Sequence, residues 1–320
     1  MSLTINHQTN DISNATGTIL VNGVAVGGDN SPPPHIGNRG LFGGGDGSSN
    51  VIQYITIATT GNATDFGDLT VGRAALSGCY GGGRGVFSGG VGGDYENTID
   101  YVTVSTTGNA TDFGNLTVAT RYTASVSSAT RGVISLGDGS GGTINNIDYI
   151  TIATAGNATD FGDSTITTTQ HAGAGSGVRG LFSGGEAPSR SNVIEYITID
   201  TTGNATDFGD MTSVRNTHAG CANQTRALFG GGNDGGRTNS IEYVTIATTG
   251  NGTDFGDLVS ARTQVAALAS VTRGVFAGGH AFPGGAQNII EYVTIDTTGN
   301  TTDFGDLLAT EYDFAGLSGN

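Results

Sequence analysis

Thr59-Thr60-Gly61-Asn62-Ala63-Thr64-Asp65-Phe66-Gly67 is a phrase that this chain writes six times with few changes. Its phenylalanine falls at Phe66, Phe113, Phe161, Phe208, Phe255 and Phe304, so successive copies lie 47, 48, 47, 47 and 49 residues apart. A period of that length marks a blade-type array, in which each copy is one small sheet able to bury its faces only against its neighbours. A chain of 320 residues has room for two ordinary domains, but a repeat running from about residue 39 to the end argues for one assembly.

Working outward from the phrase, one unit reads from Arg73 to Thr120 as four strands, A to D: R-A-A-L-S-G-C, R-G-V-F-S-G-G, N-T-I-D-Y-V-T-V and T-D-F-G-N-L-T-V. In strand C, Ile99, Tyr101 and Thr103 face one way and Val102 and Val104 the other, as in a sheet covered on both faces. Strand A is built from small residues, such as Ala74, Ala75 and Ser77 or Ala172 to Gly175. Small side chains suit the place where blades converge, so A is expected innermost, with Phe87, Phe182, Phe229 and Phe276 of strand B further out. The T-T-G-N segment joins C to D with residues that accept left-handed backbone. The N-A-T tripeptides at Asn62, Asn109, Asn157 and Asn204 are accordingly read as turns rather than glycosylation sites.

The ends of the repeat predict how it closes. The first copy begins at strand B, Arg39 to Gly44, and the last finishes on a strand A, Glu311 to Ser318. Pairing these completes a sixth blade and removes exposed sheet edges. The expected fold is all-β: a six-bladed propeller of four-stranded antiparallel blades over residues 39–320, closed by the C-terminal strand. Residues 1–38 form a separate arm, with a hairpin at Ile19 to Val26 turning on Asn22-Gly23 and a stiff spacer at Ser31-Pro32-Pro33-Pro34. The arm either anchors the protein to another subunit or packs along the rim.

Gly accounts for 57 residues, Lys for none, and the net charge is −16. A nucleic-acid footprint needs a basic stripe, which twelve arginines cannot supply when ten of them sit at repeat positions. Those ten are Arg39, Arg84, Arg131, Arg179, Arg226 and Arg273 before strand B, and Arg73, Arg121, Arg215 and Arg262 before strand A. Cys79 and Cys221 occupy the same position three copies apart. In a six-membered ring they are too distant for the roughly 4.4–6.8 Å of a disulfide, so two free, buried thiols are expected. No segment has the roughly 20 apolar residues of a membrane helix, and Met1 to Asn10 lacks the basic and apolar runs of a secretory leader.

R-x-x-H-A at Arg215 to Ala219, V-F-S-G-G at Val86 to Gly90, and the I-E-Y strand, in that order and spacing, resemble the kelch repeat, over about residues 39–320. The resemblance implies a kelch-like β-propeller, although kelch repeats carry Trp where this Trp-free chain has Phe. The T-T-G-N-A-T-D-F-G-D-L phrase also resembles repeats in structural proteins of marine tailed phages.

The copies differ most in the B-to-C loops, which a meander places at the same end as the D-to-A crossings. Variation at one end of a constant scaffold makes a binding surface. Asp94, Tyr95, Glu96, Glu186, Arg190, Asp234, Arg237, His280 and Phe282 are the candidate ligand-binding residues. The recurrent Asp65 and Asp68 are read as turn-capping or Arg-pairing groups, since a catalytic pair is needed once and not in every blade. His171 and His218, at one repeat position, are read as hydrogen-bonded structural groups because two His make a poor metal site. Asp138, in G-D-G-S-G-G, is a candidate Ca²⁺ ligand without a complete set around it; no other cofactor is expected. No carboxylate pair stands apart for glycoside hydrolysis.

The expected function is a non-enzymatic virion module, a tail, fibre or capsid appendage. It would bind host-surface glycan or neighbouring virion proteins through its loops and other virion proteins through residues 1–38, within a homo- or hetero-oligomer, without membrane insertion. It would be made in a host cytoplasm and located in the virion; a cytoplasmic location is the alternative. A polysaccharide-degrading propeller and an intracellular kelch-type interaction scaffold are the competing functions.

Overall fold

Strand C is the element on which each sheet is built. In Thr98–Thr103 the β-branched and aromatic residues favour extended backbone, and burial places Ile99, Asp100 and Val102 inside, Tyr101 at the border and Thr103 in solvent. The computed structural model describes residues 4–6, 11–13, 19–21, 24–26 and 37–319, and no helix occurs among them.

Among the described residues, six sheets repeat one antiparallel A-B-C-D order. They comprise Ser77–Gly81, Arg84–Ser88, Thr98–Thr103 and Thr111–Asn115; Ala124–Ser127, Arg131–Ser135, Asn146–Thr151 and Thr159–Asp163; and Ala172–Gly175, Arg179–Ser183, Val193–Thr198 and Thr206–Asp210. Next come Ala219–Ala222, Arg226–Gly230, Ser240–Thr245 and Thr253–Asp257, then Ala266–Ala269, Arg273–Ala277, Gly285–Thr294 and Thr302–Glu311. The remaining sheet takes its A strand from the end of the chain. Ala315–Gly319 pairs with Arg39–Gly43 in the register Ala315↔Gly43, Leu317↔Leu41, Gly319↔Arg39, and Val51–Thr56 and Thr64–Asp68 follow.

The repeated phrase works through a bulge. In each sheet the C–D register skips one residue, so that Ile99 faces Gly114 while Asp100 faces Asp112, and Phe113 is the extra one. A bulge re-aims the side chain it carries. Here it turns the six phenylalanines inward, each edge-on to the strand-C tyrosine at 5.9–6.2 Å. The arginine before strand B lies over the same tyrosine at 4.3–4.6 Å, a cation–π contact. Its Nη1 donates to a carbonyl of the next sheet, as Arg84 does to Ile152 at 2.9 Å.

The T-T-G-N turn clasps the preceding sheet. Gly108 N donates to Phe66 O at 2.8 Å, Ala110 N donates to Asp68 O at 2.7 Å, and Asn109 Oδ1 accepts from Asp68 N at 3.1 Å. Gly67, at φ 148°, has to be glycine: a Cβ there would lie 2.4 Å from Gly108 O. The asparagines of the sequon-like tripeptides are therefore engaged in turn contacts.

The structure departs from the sequence pattern at three places, the second of them only in the arginine pairing and not in the turn role of the aspartates. The strand A segments start later than the pattern suggested, at Ser77 and Ala315, and the residues before them form the crossing. Asp65 and Asp68 are in no ion pair among the described residues; the buried pairs join Arg73 to Asp100 at 2.8 Å, Arg215 to Glu242 at 3.2 Å, and Arg262 to Glu291. Arg121 is not the equivalent of these arginines. Thr120 holds the buried position, and Arg121, one residue on, lies at the surface. A one-residue offset reverses the facing of an extended chain, and counting from the phrase shows it: Arg121 follows Phe113 by eight residues, whereas Arg73, Arg215 and Arg262 follow Phe66, Phe208 and Phe255 by seven.

Cys79 and Cys221 are free and buried, as expected, and burial pushes both thiols up to about 12. Residues Met1–Pro32 form a compact unit of their own. In it Thr4–Asn6 pairs with Asp11–Ser13 and Ile19–Val21 with Val24–Val26, the second being the expected hairpin. Its Asn22-Gly23 turn and the spacer at 31–34 lie outside the described residues.

Candidate functional site

The B-to-C loops and the D-to-A crossings meet at one end of the sheets, where loop and crossing pair as short extra strands. Thr120–Arg121 pairs with Asp138–Gly139, Arg262–Thr263 with His280–Ala281, and single bridges join Ala74 to Val91, Thr169 to Glu186 and Asn216 to Asn233. The candidate residues thus share a face, but they form separate clusters on it.

Tyr95 Oη donates to Asp138 Oδ2 at 3.1 Å, and Arg121 donates to the same oxygen through Nε at 3.2 Å and Nη2 at 3.1 Å. Asp138, the candidate Ca²⁺ ligand, is thereby taken up by a cation. Among the described residues no group of three or more His, Cys, Asp and Glu could hold a metal ion. Arg237 donates to His280 O at 2.9 Å, lies 3.0 Å from His280 Nδ1, and sits 5.7 Å from the Phe282 ring, which is 81% exposed. Glu186 accepts a bond from Asn216, and Glu96 accepts one from Thr98 at 3.1 Å. Arg190 pairs through its backbone with Glu186; Asp94 and Asp234 are exposed loop residues.

At this end also lies a feature the sequence did not reveal. Seven non-glycine residues among those described have positive φ, and six of them, Ala75, Tyr122, Gln170, Thr217, Gln264 and Asp313, hold one repeat position before strand A, at 53–59°. Left-handed backbone costs an L-residue about 1 kcal/mol or more. Five backbone bonds string these residues together: Tyr122 N to Ala75 O at 2.7 Å, Thr217 N to Gln170 O at 2.9 Å, Gln264 N to Thr217 O at 2.7 Å, Asp313 N to Gln264 O at 3.3 Å, and Ala75 N to Asp313 O at 2.7 Å. With the next residues inward, Leu76, Thr123, His171, His218, Val265 and Phe314, they line a cavity of about 410 Å³ counting its open mouth.

The rim is polar and partly satisfied. Gln264 Nε2 donates to Asp313 Oδ2 at 2.6 Å, Asn216 Nδ2 donates to Gln170 Oε1 at 2.7 Å, and the Gln170 amide pairs with Tyr122. Beneath it, His218 Nε2 lies 2.9 Å from Ser183 Oγ, but its Nδ1 and both ring nitrogens of His171 have no hydrogen-bond partner. The expectation of hydrogen-bonded histidines thus fails for His171. Burial lowers His171 to about 4 and His218 well below its ordinary value, so both imidazoles are neutral at pH 7. The only signal in the sequence was the chemical unlikeness of six equivalent residues, masked because their position was assigned to a strand.

Carboxyls cluster beside Asp313. Burial raises Asp313 to about 6 and Glu311 to about 7, with the charge of Asp46 acting on both in the same direction. A raised carboxyl favours folding while it stays protonated. Its contribution is complete below about pH 4, the unfolded value, and is lost as pH rises through the folded value. Asp313→Asn is therefore expected to leave stability unchanged at pH 4 and to raise it by about 2 kcal/mol at pH 8. Denaturant melts at the two pH values check this, and an equal change at both refutes it.

No protein-family model matches the chain, and no curated protein matches it in sequence. Among solved structures it is similar to that of YjhT, at 12% identity and a TM-score of 0.66, over 83% of this chain and 96% of YjhT. At that identity the likeness is one of fold alone, and it supports an all-β, propeller-like architecture.

Proposed function

We propose that the six sheets close into a kelch-like six-bladed propeller, and that it serves as a non-enzymatic structural and adhesive module of a phage particle. The ties between the last and first sheets support closure because they repeat those found elsewhere. Arg273 Nη1 donates to Ile57 O at 2.7 Å, Gly61 N to Phe304 O at 2.8 Å, and Asp306 N to Asn62 Oδ1 at 3.1 Å. The observation that carries the functional reading is the contrast between these repeated ties and the divergent loops gathered at one end. Such a surface suits host glycan or neighbouring virion proteins, with residues 1–38 as the attachment to the particle. The resemblance of the repeated phrase to phage structural repeats supports a virion over a free cytoplasmic location.

Replacing residues 91–96, 186–191, 233–238 and 280–287 with Gly/Ser segments is expected to abolish binding to host cells or a glycan array while leaving the sheets folded. Undiminished binding would remove the surface from this role, and absence of the chain from purified particles by mass spectrometry would remove the virion. A polysaccharide-degrading activity is the second reading, favoured by the two carboxyls, Glu311 and Asp313, that keep protons to about pH 7 and 6 at the same end. New reducing ends released from host envelope glycans would establish it, since a binder releases none.

A further inference from the structure

The ring of left-handed residues is costly in a way the chain had the means to avoid. Glycine takes positive φ without a steric penalty, and 57 glycines are spread through this sequence. Yet none of the six positions is Gly, and five of them carry a phenol, a hydroxyl, an amide or a carboxyl. Strain held at a pocket mouth is a sign that the side chains there have a task. A second, independent observation is the chemistry of the cavity below them: it is lined by the buried His171 and His218 and carries no charged side chain but Asp313.

We propose that this mouth binds one neutral polyhydroxylated unit, such as the terminal hexose or N-acetylhexosamine of a glycan. The inference deepens the adhesive reading by giving its binding end a central subsite. Gln170, Thr217, Gln264 and Asp313 offer donors and acceptors in the mixed pattern that sugar hydroxyls require. Tyr122 adds an aromatic side chain against which an apolar sugar face can pack. Neutral imidazoles provide no cation for an acidic sugar, and Arg121, whose charge reaches Asp313, is held by Asp138. The net charge of −16 further disfavours anions.

Saturation-transfer NMR and calorimetry with the methyl glycosides of glucose, galactose and N-acetylglucosamine at millimolar concentration test the site on the full chain. At least one is expected to bind, and the double variant Gln170→Gly/Thr217→Gly to lose at least tenfold in affinity with no fall in Tm, because glycine relieves the backbone at both positions. No binding of any probe, or unchanged affinity in the variant, overturns the proposal. Should the variant melt lower, Tyr122→Gly decides, since it too relieves a left-handed backbone: retained affinity overturns the site, and a tenfold loss upholds it. Failure of the adhesive reading is distinguishable. Sugar binding at the mouth with no attachment of particles to cells would refute adhesion and leave the subsite standing, while cell binding that depends on the loops but not on the mouth would do the reverse.

Discussion

Deleting Ala315–Asn320 is expected to leave the chain without a stable fold. The lost strand makes five pairings with Arg39–Gly43 and buries Ala315 and Leu317 among Leu41, Leu76 and Tyr80. Ladder bonds at about 1 kcal/mol each and a buried leucine at about 2–3 kcal/mol approach the 5–15 kcal/mol that a domain has in total. The deletion also exposes the edge of Arg39–Gly43, a template for aggregation. Soluble yield should collapse and any cooperative melt should vanish. A permutant separates pairing from covalent order. Because Gly319 faces Arg39, residues 312–320 can be placed ahead of residue 38 through a short hairpin loop. That chain should melt within a few degrees of its parent, and a deletion that melts like the parent would refute the role of the strand.

Arg73→Met is expected to cost about 3–5 kcal/mol at pH 8, as breaking a buried pair does when one charge is left behind. Arg73 and Asp100 are both fully buried. Asp100 would retain its bond from Thr70 N at 3.3 Å and that from Thr70 Oγ1, but it would be left as a buried group without its cationic partner. Adding Asp100→Asn should restore most of the stability, which a double-mutant cycle measures. Two other copies show why the carboxylate survives. Asp148 and Glu195 face Thr120 and Thr168 rather than Arg, and they accept the backbone N–H and hydroxyl of Thr117 and Thr165. In the first sheet the acid itself is Gln53, whose Oε1 accepts from Leu308 N at 2.8 Å. The shared task is to cap the turn leaving strand D; the arginine is a local addition. A cycle in which Asp100→Asn restores none of the loss would contradict this account.

The repeated phrase was legible because its physics recurs with the period. Gly67, the bulge at Phe66 and the Tyr54–Phe66 contact recur wherever the spacing recurs, so counting residues sufficed to foresee four strands and the pairing of the chain ends. The gathering of loops and crossings at one end followed from the meander alone. Arg121 was misplaced by one residue, an offset that counting from Phe113 shows; the residues before strand A were misplaced for the opposite reason. There the backbone leaves the strand and passes through a left-handed residue, and alternation no longer reports which way a side chain points.

What the sequence determined by itself was the unit: four strands, a bulged phenylalanine and a glycine that admits the neighbouring turn, since these contacts recur with the repeat, the glycine meeting the turn of the next copy as Gly67 meets Gly108. Only tertiary structure could decide the mouth. Its six residues are separated by most of the chain and come together because each sheet delivers one of them, with its backbone held at positive φ by bonds to its neighbours. No pattern within a single period carries that information, because the cavity belongs to the sheets together and to none of them alone.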